Sequence, residues 1–232
     1  MHQSPYLDRL SREIESTTDP TVRGRKRAER AACLARLGDF QAAEAEIADL
    51  RTEFGDGRDG RVSIMIMWAE AQVIYFQSLG QQARDRMLRA QLLSIAGRDA
   101  ELSALTSSWV AHIAFNLHRH DEMVRAAKTC LDTISTNDSV AAIRLALTLG
   151  DAFYASEQLD LGNRWYAKAH EHAVRLGDHA MIAALTYNRA AMGTFVARLR
   201  SADAPLAQDL VRRLTGEVRT AINYQSIAQL TS

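Results

Sequence analysis

Proline is missing from the whole stretch 22–204, so nothing there obliges a helix to break. Cysteine is scarce too: Cys33 and Cys130 are the only two, both in apolar helical context. They read as buried thiols, with no disulfide or metal framework to build from. Neither sign of charge dominates, since 28 Lys+Arg stand against 28 Asp+Glu. A whole-protein attraction to nucleic acid or an acidic membrane is therefore not implied. Runs of β-branched residues are few, which argues against sheet. The segment MHQSPYLDRLSREIE lacks the apolar core of a secretory signal. No stretch reaches the ~18 uninterrupted apolar residues of a membrane span. VSIMIMWAEAQVIYF, from Val62, comes nearest and is broken by Glu70 and Gln72. No membrane insertion is expected, and cytoplasmic residence follows as an inference.

What the chain does have is alanine and leucine throughout, 47% hydrophobic content and 24% charge, a composition that folds and favours helix. Helical apolar patterns recur with loop signals at roughly 40-residue intervals. They predict helices over residues 7–16, 22–37, 40–53, 61–79, 82–95, 100–117, 121–134, 139–156, 159–176, 180–199 and 206–230. Asp19 or Thr21 is the expected cap of the second. Residues 55–60, rich in Gly and Asp, read as a link between hairpins in preference to a hinge. Gly216 leaves open one long final helix or two shorter ones. Short loops favour packing each helix against its neighbour. A compact bundle competes, but the recurrence favours stacked hairpins. Three regions follow: an N-terminal helix and linker (1–20), a repeat region (21–200) and a C-terminal capping region (201–232).

Leu34, Gly38, Phe40, Ala43 and Ile47 form one repeat-like set. Leu149, Gly150, Phe153 and Tyr154 renew its first-helix pattern, and Leu161, Tyr166 and Ala169 its second. Asn188 and Ala190 open another. Small residues allow close helix approach while the aromatics fill the space where helices diverge. Over about residues 22–199 the chain thereby resembles the tetratricopeptide repeat superfamily, in a divergent form with long helices. It departs from that pattern near residues 78–90, where the turn-to-alanine spacing slips, and near 118–130, where no glycine occupies the turn. The usual proline after the second helix is absent.

The resemblance implies an all-α fold: a right-handed alpha-alpha superhelix of antiparallel helix pairs, a tetratricopeptide-like solenoid. It also implies a concave groove, lined by the first helix of each pair, that receives a peptide or helix. Carried onto this chain, the groove candidates are Arg144, Thr148 and Asp151, then Tyr187 and Asn188, with Glu70, Ile74 and Ala111 in the central registers. Arg144 and Asp151 would meet backbone or charge, and Tyr187 offers apolar area with a polar tip. Such a groove requires Arg144, Asp151 and Tyr187 to be exposed together.

Chemical signatures are sparse. His118 and His120, like His170 and His172, are two apart and do not share a helix face; His112 and His179 stand alone. HExxH, Walker and GxGxxG motifs are absent. Glu44 and Glu46 define no acid/base pair, Asp121-Glu122 reads as a helix start, and Ser107-Ser108 lacks a nucleophile elbow. No reaction, cofactor or metal is expected, and the chain reads as a non-enzyme. The basic run Arg23, Arg25, Lys26, Arg27 and Arg30 reads as a solvated outer face before a phosphate-binding one, so nucleic acid is not expected as a partner. Trp68, Trp109 and Trp165 read chiefly as packing, with Trp68 or Trp109 the alternative groove aromatics.

Function is thus expected to be a protein–protein interaction scaffold holding an unidentified protein or peptide in a preorganised groove. The alternative is a sensory or regulatory module that binds a small molecule or peptide and controls a separate effector. The apolar face of Leu206, Leu210, Leu214, Val218 and Ile222 either caps the repeats or forms a homodimer.

Overall fold

The protein is described from a computed structural model covering residues 4–55, 57, 59–201 and 208–230. These residues are all-helical: α1 (Pro5–Ser16), α2 (Pro20–Arg36), α3 (Phe40–Phe54), α4 (Gly60–Gln77), α5 (Gln81–Ala96), α6 (Ala100–Asn116), α7 (His120–Thr133), α8 (Ser139–Ala155), α9 (Leu159–Leu176), α10 (His179–Ser201) and α11 (Gln208–Leu230). The expected helices are all present, with ends shifted by a residue or two. The last runs unbroken through Gly216. Asp56 and Arg58 of the Gly-rich link, residues 202–205 and Leu206 lie outside the described residues, as does the side chain of Leu210.

The described residues fall into two compact units, Pro5–Ala141 and a second formed by the residues from Ala142 onward together with Ser4. In the N-terminal unit contacts run chiefly between neighbours: α1 on α2, α2 on α3, α3 on α4, α4 on α5, α5 on α6 and α6 on α7. Successive first helices also touch, α2 with α4 and α4 with α6. This is a stacked-hairpin, repeat-like arrangement. First helices begin at Pro20, Gly60, Ala100, Ser139 and His179, a step of about 40 residues.

The step is written in aspartates. Asp19, Asp59, Asp99, Asp138 and Asp178 each stand immediately before a first helix. Asp19 accepts from the Thr21 and Val22 amides, Asp59 from Arg61 and Val62, Asp99 from Leu102 and Asp178 from Met181. Asp138 instead accepts from the Ser135 amide at 2.8 Å. Asp19, Asp59, Asp99 and Asp178 thus satisfy amides that a helix start leaves without partners. Two of them also tie one hairpin to the next. Asp59 accepts from the Thr21 hydroxyl at the head of α2, and Asp99 pairs with Arg61 at the head of α4, 2.6 Å away. Burial works against the Asp59 charge, yet the hydrogen bonds from Thr21 and the Val62 and Arg61 amides outweigh it and hold its carboxyl below the usual value.

Turns without glycine are accommodated. At the α6–α7 turn His118 itself takes the left-handed conformation (φ 56°), and Glu157 does so (φ 60°) between α8 and α9. Single non-glycine residues occupy that region at a modest cost.

In the C-terminal unit Ile143, Leu147, Tyr154, Tyr166, Ile182 and Leu185 lead a buried cluster. Glycines permit the close crossing of α8 and α9. A methyl group on Gly162 would sit 2.2 Å from Tyr154 Cδ2, and one on Gly150 3.1 Å from the Tyr166 ring. The two tyrosine rings meet edge to face at 5.5 Å.

Because Asp59 joins a cap to an inter-hairpin bond, Asp59→Ala is expected to lower unfolding free energy by about 1–2 kcal/mol in urea denaturation. Asp49→Ala, an exposed change in mid-helix, should shift it by less than about 0.5 kcal/mol.

Candidate functional site

One face of α3 carries Glu44, Ile47, Ala48 and Arg51, and one face of α4 carries Ser63, Ile66, Met67, Glu70, Val73, Ile74 and Gln77. Both sets follow the three-and-four spacing of a helix surface. With Arg86 from α5 they line two adjoining cavities of about 280 and 220 Å³ that share Arg51, Glu70 and Arg86. The result is a trough along α4, between α3 and α5.

At its centre lies an ion triad. The Glu70 side chain is only 9% exposed, yet it carries the sole negative charge between two guanidinium groups. Arg51 contacts Oε1, and Arg86 Nε lies 3.4 Å from Oε2. Neither contact has hydrogen-bond alignment, so the attraction is chiefly Coulombic. A carboxylate this enclosed depends on its partners, because losing them would leave its charge uncompensated and largely out of water. At one end of the trough Gln77 donates to Glu44 at 2.8 Å.

The expected groove residues are dispersed in their environments. Glu70 and Ile74 come together in this trough. Ala111 is fully buried in α6. In the C-terminal unit Arg144, Thr148 and Asp151 lie inside, at 6%, 0% and 6% exposure. They do not have the exposure that a groove through Arg144 and Asp151 requires. Tyr187, at 61%, is open to solvent, and Asn188 is half-buried.

The interior positions have internal uses. Thr148 donates to the Arg144 carbonyl at 2.9 Å, and the Tyr166 hydroxyl donates to Asp151 Oδ1. Burial pushes the Asp151 carboxyl up to about 6, against the opposing effects of the Tyr166 hydrogen bond and the Arg144 charge. Burial likewise raises Tyr166, with the Asp151 charge adding to it.

Trp68 and Trp109, the alternative groove aromatics, are both 2% exposed and serve as packing. Trp109 lies among Tyr75, Phe76 and His112 at ring separations of 5.6–6.0 Å, and the Tyr75 hydroxyl is 2.9 Å from His112 Nε2.

The basic run of α2 is neutralised: Arg23 pairs with Glu53, Arg25 with Glu101, Lys26 with Glu13 and Glu29, Arg27 with Glu46 and Glu53, and Arg30 with Glu46. Glu29 lies on α2 itself, and folding brings the other acids from α1, α3 and α6. Both cysteines are buried and in no disulfide, and burial, aided by Asp138, pushes Cys130 up to about 12. Among the described residues no group of three His, Cys, Asp or Glu is placed to hold a metal, and no helix is long and apolar enough to cross a membrane.

Sequence reading missed Arg51 and Arg86 and set Glu44 aside. The spacing of Glu44, Ile47, Ala48 and Arg51 was a usable signal for one face. Nothing local to Arg86 announces that it reaches Glu70. Comparison with known proteins leaves the geometry to speak for itself: no family model, curated protein or solved structure matches the chain.

The raised Asp151 carboxyl makes a signed prediction. Its folded value of about 6 lies above the ordinary 3.8. Between those values the unfolded chain loses a proton that the folded chain keeps, so this contribution to stability falls as pH rises and levels off above the folded value. Asp151→Asn should remove that slope. Relative to the parent, it should gain roughly 2–3 kcal/mol between pH 4 and pH 7 in paired urea titrations. An equal pH slope in both proteins would contradict this.

Proposed function

We propose that the chain is a divergent tetratricopeptide-like repeat protein that binds a protein or peptide partner, and that the α3–α4–α5 trough is its contact surface. The observation that supports this reading most is the pairing of two adjoining cavities with a charged centre on a rigid helical floor. Rigid floors reduce the ordering cost of binding, and alternating apolar and charged contacts give a peptide its register. The repeat-like stacking fits the same role, since it displays surface along successive hairpins.

The role requires no chemistry from the protein, and we take it to be non-enzymatic. Buried cysteines outside any disulfide fit a reducing compartment, here read as the cytoplasm. A homodimer through α11 is a separate use of the apolar positions Val218 and Ile222, which are 37% and 56% exposed. The neutralised basic run gives nucleic acid little to hold.

Ala48 is an exposed trough residue on α3, so Ala48→Trp should fill the trough while leaving the core intact. Quantitative affinity capture from native extract is expected to lose at least about tenfold of a specific partner with this variant, at unchanged melting temperature. Undiminished capture would reject the trough as the contact surface.

A further inference from the structure

We propose that the trough recognises a peptide segment carrying one carboxylate between two apolar side chains. This rests on the reading of the trough as a contact surface and adds the chemistry of what occupies it. The charge balance at the centre is uneven: Arg51 and Arg86 bring two positive charges to the single carboxylate of Glu70. Exposure divides them in the same way. The Arg51 side chain is 57% exposed and Arg86 36%, whereas Glu70 is 9% exposed. Each guanidinium has five N–H donors in a planar fork. Each meets Glu70 through one nitrogen, Arg51 Nη2 and Arg86 Nε.

A second carboxylate entering the trough meets a surplus positive charge and a geometry suited to paired N–H···O bonds. A lysine or arginine in the same place meets like charge on both sides. The carboxylate alone does not set the register, because apolar walls lie on either side of it. Ile47, Val73 and Ile74 line one cavity, and Phe54, Ile66 and Met67 line the other. At about 280 and 220 Å³, each takes a side chain of leucine size and not a whole helix. Glu44 at the far end of the larger cavity opposes a second acid there. The lining positions of α4 run from Ser63 to Gln77, a length of about 21 Å at 1.5 Å per residue. An extended segment of about six residues spans it.

The test uses the full chain and a phage-displayed library of random 12-residue peptides, followed by fluorescence anisotropy on the enriched peptides. The expected result is a shared Asp or Glu between apolar residues, with binding abolished by Ala48→Trp. Arg51→Gln and Arg86→Gln are combined with Glu70→Gln, so that the buried charge and both of its counter-charges leave together. That triple variant removes the positive surplus and should weaken binding at least about tenfold, whereas Glu70→Gln alone, which enlarges the surplus, should tighten it. Arg86→Gln gives an independent check at a half-exposed position, and circular dichroism melts establish that each variant folds. Peptides that lack an acid, or that bind the Arg51/Arg86/Glu70 triple variant unchanged while losing Ala48→Trp, would overturn carboxylate recognition and leave the trough as a contact surface. No enrichment, or binding indifferent to Ala48→Trp, would overturn both.

Discussion

The structure depends on burying the first helices of the N-terminal unit on more than one side. In α4, residues as far round the helix as Val62, Ile64, Met65, Ile66, Trp68 and Ala69 are all buried, and α6 is enclosed still more fully. A helix covered in this way cannot keep its polar residues at the surface. Each must find a partner inside or carry a desolvation cost. In α6 they do: Ser107 accepts from Gln91 at 2.8 Å, and Thr106 lies 3.1 Å from Ser94 across the α5–α6 interface. Small hydroxyls there serve both close packing and satisfaction.

Glu70 follows from the same constraint with a different outcome. It is the buried acid of α4, and its neutralisation requires charge from helices on both sides. Arg51 and Arg86 reach it from α3 and α5, at the margin of the buried floor, where their own heads remain partly in solvent. Long basic side chains manage this readily because their stems lie on apolar surface while their charge stays wet. The trough and its positive surplus are therefore by-products of stacking that a partner can use. Asp151 is the C-terminal unit's contrasting case: a buried acid that keeps a hydrogen bond from Tyr166 and is raised toward neutrality.

Helix positions were legible in the sequence because apolar spacing and turn residues act locally. The residues at the turns were harder to interpret. The absence of glycine near His118 suggested a weaker repeat, yet His118 adopts the required backbone itself. The series Asp19, Asp59, Asp99, Asp138 and Asp178 was a clearer marker of the repeat than the glycines, and it was visible as plain text. The groove candidates were less legible. Spacing placed Thr148 and Asp151 on a face of α8, but which neighbours cover that face is a tertiary matter. Glu70 and Ile74 were picked for a first-helix groove and do share a trough, whose walls come from second helices. The ion pairs of the basic run, from Arg25–Glu101 to Arg27–Glu46, span separations that no local pattern encodes.

Site-specific photo-crosslinking in native extract offers the most direct comparison of the two surfaces. A benzoylphenylalanine placed at position 48 reports on the trough, and one at position 187 on the exposed tyrosine of α10. Partner binding through the trough predicts a discrete adduct at 48 that excess enriched peptide abolishes, with none at 187. An adduct at 187 alone would contradict it and return the contact surface to the C-terminal unit.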